Sequence, residues 1–500
     1  MAKPASFCIL VAIASVVCSC GACKKGTPQV KEQSSPDTVQ TPWSYQVPWP
    51  FDPMTIQQLR ASPKKVFAHY FTQFPLSEDN KDPRSDYYQT EYLSPNGEGN
   101  IHAGYGGYLR IRPIPQSPRP ESDWMELDME QEIRMAIAIG IDGFACDILS
   151  ISGYHWQRML SLLEAAHQVD PEFKIMLMPD MNALSSHQDA LDSVITVLSA
   201  YPSVYKLDDG RLVVAPYNAQ DQSAQWWTAW LSEMKQSGID IAFFPVFQGW
   251  QHYAAAFAPF SYGLSDWGWR SVDVQRSWLQ AADQAHAYHT KWMMPVAPQD
   301  MRPKSFRYWE AENSSEFRLM WENAIQGGAD WVQLITWNDY SEHTVVEPST
   351  GTQFGFYDLA AYYINWFKTG TPPQIKRDAL YYFYRTQSFQ AKPDLTKQTK
   401  PFDLDKASDP AADYIELLAF LTKPGTLEIQ INGKSTQKMA PAGVTSFRIP
   451  LSEGKPIFRL YRNDSAEIVL PGAFTINNDI TYQNLLYYSG SNSRSPVTWP

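Results

Sequence analysis

From Lys64 onward the chain alternates between short, almost wholly apolar runs and longer stretches whose apolar residues recur at i, i+3 and i+4. The runs at 66–70, 143–149, 175–178, 212–217, 241–247, 262–267, 292–296 and 332–337 have the length of strands. They lack a polar alternate face, as strands covered on both sides must. The stretches at 125–139, 156–169, 190–201, 226–234, 274–287, 317–325 and 357–367 carry the helical period. Strand and helix in repeated alternation predict an α/β fold, a (β/α)8 TIM barrel over 51–390. A doubly wound open sheet would want a glycine-rich phosphate turn after the first strand, and 66–72 offers none.

Two regions break the rhythm. Residues 71–124 hold no convincing helix, yet they contain Tyr87, Tyr88, Tyr92, Tyr105 and Tyr108 among many Gly and Pro. A loop this long predicts an ordered cover or lining for the active face. After Pro372 the aromatic segment 378–385 is expected to complete the barrel. Beyond it the period changes to two, at 427–431, 446–451 and 458–461, with Asn432-Gly433 as a hairpin turn. This predicts a small β-sandwich over 394–500, more a buttress than a sugar binder, since no aromatic cluster stands out there.

The first residues have another logic. Lys3 precedes an apolar run at 7–17, too short to span a bilayer and ending in small residues, which reads as a signal peptide over 1–20. Val17-Cys18-Ser19-Cys20 resembles a bacterial lipobox, with Cys20 as the lipidated residue. An ordinary cleaved signal peptide is the alternative. Residues 21–50 are polar and rich in Pro, Ser, Thr and Gln, the composition of a disordered tether. The expectation is an exported lipoprotein of the cell envelope, touching membrane only through its lipid.

The chain has 18 Trp, 27 Tyr and 24 Phe, a surplus that suits a groove for the flat faces of sugars, although a large aromatic core would also account for it. Its formal net charge of −12 repels phosphate backbones, which argues against nucleic acid as a partner. Beyond the first 23 residues the single cysteine is Cys146, so the folded part has no disulfide framework, and Cys146 reads as a small buried hydrophobe. Zinc spacing, a Gly-x-Ser-x-Gly elbow and a Walker loop are absent from the sequence, and no metal or cofactor is expected.

Barrels of this type react at the carboxyl ends of their strands. Those ends carry His69 and Tyr70, Asp147, Asp180, Tyr217, Gln248, Trp267 and Trp269, and finally Trp337-Asn338-Asp339-Tyr340-Ser341-Glu342. Asp, Asn, Tyr and Trp on one rim suit sugar hydroxyls and sugar faces. Asp339 and Glu342 are the candidate catalytic pair, because glycosidic cleavage needs one carboxyl to protonate the leaving oxygen and another to attack or to activate water. Two close carboxylates in a dry cleft cannot both ionise cheaply, so one keeps a proton. A turn Asp with a solvated Glu is the plainer alternative. His69, Tyr70, Asp147, Asp180, Tyr217, Trp267, Trp337 and Asn338 are the candidate substrate-binding residues. Asp147 and Asp180 could instead cap helices, and His69 could be a satisfied core histidine.

Ala68-His69-Tyr70, then Gly140-Ile141-Asp142-Gly143-Phe144-Ala145, then Thr336-Trp337-Asn338-Asp339-Tyr340-Ser341-Glu342 occur in an order that resembles glycoside hydrolase family 71, the endo-α-1,3-glucanases or mutanases. The resemblance runs through 362–370 and 381–385 into the β domain. It implies an inverting, cofactor-free cleavage of α-1,3-glucan by Asp339 and Glu342, with a further early Asp, either Asp142 by motif position or Asp147 by geometry. A monomer is expected. This chain departs from the family at Ser341, where Gly is common, at Asp147, where Asn is frequent, and in the long 71–124 segment, all of which bear on substrate choice. Residues 337–342 followed by Val346-Glu347-Pro348 also resemble family 99 endo-α-mannosidases, in which Glu replaces the Asp. A non-catalytic surface glycan-binding lipoprotein is the alternative from another class, although a binder has no use for an acid–base pair.

Overall fold

The computed structural model of the chain describes residues 48–184 and 188–497. The expected signal peptide, Cys20 and nearly all of the tether lie outside the described residues.

The apolar runs are strands: β1 (Lys65–Tyr70), β2 (Gly143–Ile148), β3 (Lys174–Pro179), β4 (Leu212–Val214), β5 (Ile241–Phe243), β6 (Val246–Phe247), β7 (Gly263–Asp266), β8 (Lys291–Val296) and β9 (Trp331–Leu334). They form one sheet in the order β5-β4-β3-β2-β1-β9-β8-β7-β6, with every neighbouring pair parallel. The outermost strands, β5 and β6, are separated along the chain only by Phe244 and Pro245. Proline has no N–H to give a ladder, which interrupts the strand there. On one side of this segment Phe244 and Val246 donate to the carbonyls of Val214 and Pro216 at 2.9 and 3.0 Å; on the other, Ser265 and Trp267 donate to those of Pro245 and Phe247 at 3.0 and 2.8 Å. Both ends of the curled sheet are thus one run of chain.

Helices Trp124–Ala138, Gly153–Val169, Ala224–Gln236, Ser315–Gln326 and Gly355–Thr369 follow the predicted stretches. The first buries a stripe that includes Met129, Ile133 and Ala136, whereas the last is buried on nearly every side. Near the strand starts, Trp331 packs against Phe67 and Phe244 at 5.7 and 4.9 Å between ring centroids, an aromatic plug for the end away from the site. Asp142 belongs to that end. Its carboxylate accepts from the Val66 N–H at 2.7 Å and pairs with Lys368 at 2.7 Å, so the motif-position candidate for the extra Asp is structural. Cys146 is buried in β2.

Antiparallel structure follows: β10 (Ala379–Arg385), β11 (Tyr414–Leu421), β12 (Gly425–Ile431), β13 (Lys434–Ala440), β14 (Gly443–Pro450), β15 (Ile457–Arg462), β16 (Ser465–Pro471) and β17 (Tyr487–Ser491). One four-stranded sheet runs β14-β11-β10-β17, the other β13-β12-β15-β16. Leu380, Tyr382, Leu417, Ile429, Phe458 and Leu460, from both sheets, share one core. Asn432 and Gly433 have φ of 50° and 75°, the two positive values that a two-residue hairpin loop demands. The segment expected to complete the barrel is corrected here, because β10 is an inner strand of the antiparallel sheet, paired with β11 and β17. It looked like a barrel strand because it too is covered on both faces. Tyr382 stacks on Phe458 at 5.2 Å inside the sandwich, while Phe383 faces Phe356 of helix Gly355–Thr369 at 5.2 Å.

Residues 71–119 contain only short helical turns. Arg112 holds Asp86 through two hydrogen bonds of 2.8 and 2.5 Å, and the Tyr88 hydroxyl donates to the Pro75 carbonyl at 2.6 Å, all buried. Phe74, Tyr88, Leu109 and Ile111 join Tyr340 and Val345 in a second core, so the segment is packed onto the loop after β9. Among the described residues no helix is long and apolar enough to cross a membrane.

Candidate active site

The chain leaves β9 at Leu334 and folds back on itself. Thr336 N–H donates to Thr344 O at 2.6 Å, and Val346 and Glu347 donate to Thr336 O and Trp337 O, both at 3.0 Å. Asp339 and Glu342 sit in the bend. Asp339 N–H donates to Thr336 Oγ1 at 2.7 Å. Asp339 Oδ1 accepts from Ser341 N–H, Ser341 Oγ and Glu342 N–H at 2.9, 2.6 and 3.1 Å. Glu342 Oε1 pairs with Arg302 Nη1 at 2.7 Å, while Oε2 is buried without a hydrogen-bond partner. Arg302 is itself gripped by Asp300 through bonds of 2.8 and 2.7 Å and lies over the Trp309 ring.

Burial raises both carboxyls. Burial pushes the Glu342 carboxyl up to about 8, against the downward pull of Arg302 and with Asp300 and Asp339 adding to the rise. Burial also raises Asp339, a rise that its bonds from Ser341 and Glu342 oppose in part by favouring the charged form. Asp147, at the end of β2, has Oδ2 buried without a partner. Burial, then the charges of Asp180 and Asp339, lift it well above the usual carboxylate range. Asp180 takes the N–H of Asn182 at 2.8 Å, and its carboxyl is raised by burial. Burial also holds His69 neutral, its imidazole lowered to about 3. His69 Nδ1 meets Met178 Sδ at 2.8 Å, Nε2 is unpartnered, and the ring stands edge-on to Trp267 at 4.8 Å. Tyr217 packs on Trp267 from another side at 4.7 Å and accepts from Gln248 at 2.8 Å.

A cavity of about 430 Å³ opens here, lined among others by Tyr217, Gln248, Trp267, Trp269, Arg302 and Trp309. Tyr217 and Trp267 line this cavity; Arg302 joins it to Glu342, the His69 ring stands on Trp267, and Asp147 lies near enough to Asp180 and Asp339 to feel both charges. Tyr70, Trp337 and Asn338 are fully buried and, like His69, Asp147, Asp180, Asp339 and Glu342, are not among the residues that line this cavity. Asn338 Nδ2 donates to Phe71 O and Phe74 O at 3.0 and 2.8 Å and its Oδ1 accepts from Phe71 N–H at 2.8 Å, which consumes the amide in stapling the 71–119 segment. Trp337 is wholly buried against Phe144. Tyr70 turns inward to donate to Glu132 Oε2 at 2.9 Å, and Tyr340 donates to Glu347 Oε2 at 3.0 Å. Glu132 and Glu347 are a fully buried pair behind this bend, both raised by burial.

Sequence reasoning missed Asp300 and Arg302, which follow β8 by four and six positions, and the role of Asp266. Asp266 ends β7 and accepts from the N–H groups of Gly249, Trp250 and Gly268 at 2.8, 2.7 and 2.8 Å, shaping the Trp267–Trp269 wall. An arginine two residues after an aspartate at a strand end was the available signal for the clamp. Among the described residues no three His, Cys, Asp or Glu side chains are grouped as a metal site requires.

Residues 120–498 match the sequence profile of glycosyl hydrolase family 71. A glucan endo-1,3-alpha-glucosidase of Schizosaccharomyces pombe is 24% identical over 406 residues, covering 74% of this chain and 92% of the relative. A mutanase of Penicillium rubens is 22% identical over 395 residues, covering 74% and 86%. Among solved structures, the GH99 endo-alpha-mannosidase of Bacteroides thetaiotaomicron superposes with a TM-score of 0.46 at 14% identity, covering 61% of this chain and 98% of that one.

Proposed function

The chain belongs to glycosyl hydrolase family 71, and from that premise we propose that it cleaves α-1,3-linked glucan with Asp339 and Glu342 as its acid–base pair. The observation that carries the proposal is the bend after β9, in which an Arg302-clamped Glu342 with one free oxygen lies three residues from an Asp339 loaded with donors.

Glu342 is the general acid. Its carboxyl, raised to about 8, holds a proton at neutral pH and gives it to the glycosidic oxygen as the C1–O bond breaks. Asp339 is the general base. The donors on Oδ1 stabilise its charge. It takes a proton from the water whose oxygen forms the new bond on the opposite face of the sugar, which inverts the anomeric centre. Solvent then returns a proton to Glu342 and removes one from Asp339. Trp267, Trp269 and Tyr217 supply faces for the sugar rings, His69 Nε2 and the protonated Asp147 supply hydroxyl partners, and Asp180 completes that wall. Tyr70, Trp337 and Asn338 hold the rim from behind.

The reading extends to architecture and address. The sheet is taken as a closed (β/α)8 barrel with 241–247 as a single strand, followed by a β-sandwich. The protein is taken as a monomer, exported and tethered through a lipid on Cys20. Asp339→Asn and Glu342→Gln are each expected to lower hydrolysis of α-1,3-glucan by about a hundredfold or more while leaving thermal unfolding nearly unchanged. Full activity in either variant refutes the assignment, and release of reducing ends from α-mannan but not from α-glucan overturns the substrate.

A further inference from the structure

We propose that the 71–108 segment builds a second, neutral-oligosaccharide pocket beside the catalytic bend, which holds further sugar units of the glucan being cut. The proposal rests on the glucanase reading above. The pocket has a volume of about 550 Å³, within the range of roughly 300–1,000 Å³ typical of ligand sites. Its walls are Phe71, Gln73, Tyr87, Tyr92 and Tyr108 from the segment, with Tyr154, His155 and Arg158 from the helix after β2, and Ser341 from the bend itself.

Three properties select the ligand. First, the walls are mainly aromatic rings, which suit the C–H faces of sugars. Second, Gln73 Oε1 and His155 Nδ1 are buried without a hydrogen-bond partner. Buried polar atoms are normally satisfied, so these two lack the hydroxyls that a sugar edge would bring. Third, the Arg158 cation is already engaged, and burial raises the Glu78 carboxyl beside it to about 7. Arg158 pairs with Glu78 at 2.7 Å, donates to the Thr72 carbonyl at 2.8 Å and lies 3.7 Å over the Tyr154 ring, while burial lowers the His155 imidazole and keeps it neutral.

Position ties the pocket to the reaction. Ser341, which donates to Asp339, lines this pocket, whereas Arg302, which clamps Glu342, lines the Trp267–Trp269 cavity. One saccharide chain crossing the bend would occupy both. The pocket is also fixed in place: Arg110 N–H donates to His343 Nε2 at 2.9 Å, the Asn338 staple holds Phe71, and the Arg112–Asp86 bonds brace the far side. The segment precedes the stretch matched by the family, which begins at residue 120, while Tyr154, His155, Arg158 and Ser341 lie within it.

The test uses the full mature protein and α-1,3-glucan oligomers of increasing length. kcat/KM is expected to rise with length, and Gln73→Ala and His155→Ala are each expected to reduce the long-to-short ratio of kcat/KM about tenfold, with the thermal midpoint of each variant measured as a check on folding. A ratio unchanged in both variants, or a wild-type rate that does not grow with length, overturns the pocket. If the wild type cleaves no α-1,3-glucan, the parent reading fails instead. Calorimetry of the longest oligomer on Glu342→Gln, with and without Gln73→Ala, then decides the pocket: weaker binding in the double variant supports it, and equal binding or none overturns it.

Discussion

Replacing Arg302 by Met should move the alkaline limb of the pH–rate profile upward. Arg302 is the cation against Glu342, at 2.7 Å between Nη1 and Oε1. Two unit charges whose centres lie about 4 Å apart interact by about 4 kcal/mol at an effective dielectric of 20, which is about 3 pKa units. A fifth of the Glu342 side chain meets solvent, which screens part of this, and opposite charges at such range typically move a carboxyl by about 1–3 units. Met removes the charge and keeps the stem over Trp309. It also frees Asp300, whose charge then pushes Glu342 the same way. The general acid must be protonated to act, so activity falls above its pKa. The limb expected near 8 in the wild type should shift upward by about 1–3 units in Arg302→Met, whatever happens to the plateau. The assay is kcat/KM on a soluble α-1,3-glucan oligomer from about pH 5 to 10. A limb that stays in place or moves down refutes Glu342 as the acid that sets it.

Two further outcomes follow from the support of the bend. Glu132 is raised to about 8 by burial, so between about 4.5 and 8 the folded state holds a proton that the unfolded chain has released. Stability should therefore fall as pH rises across that window, and Glu132→Gln should flatten the fall; urea unfolding at both ends of the window checks this, and an unaltered slope contradicts it. Thr336→Val removes the acceptor of the buried Asp339 N–H and should cost about 1–3 kcal/mol in urea unfolding, together with a loss of kcat as the bend loosens; a variant as stable as the wild type would mean that the Asp339 amide has another partner.

The apolar runs located the starts of the parallel strands to within a residue, because strands covered on both faces have a distinctive composition, but they ran three residues past the ends of β4 and β9 and joined β5 to β6. The same signal misplaced β10, since coverage by a second β-sheet and coverage by barrel helices leave the same apolar trace. The rim was legible where a strand end and an acidic or aromatic residue coincide, as at Asp147, Tyr217, Trp267 and Asp339. Direction was not. Tyr70 and Asn338 adjoin rim residues, yet one turns into the protein and the other is used up by backbone of the 71–119 segment, and neither choice is written in residue type. Arg302 escaped because its significance lies in meeting Glu342, 40 positions later, a long-range contact with no periodic signature.

The segment between β8 and helix Ser315–Gln326 reaches out of the parallel domain into the antiparallel one. Glu310 takes Arg385 at 3.0 Å and the Tyr487 hydroxyl at 2.6 Å, Asn313 gives its amide to the Phe383 and Tyr414 carbonyls at 2.9 Å each, and Ser314 donates twice to Glu416. Cutting the chain before β10 would strand a buried carboxylate and a buried amide at the foot of helix Ser315–Gln326. The two parts should melt in one transition, and attempts to shrink the enzyme or to graft its parallel sheet and helices elsewhere must carry the carboxy-terminal sheets along.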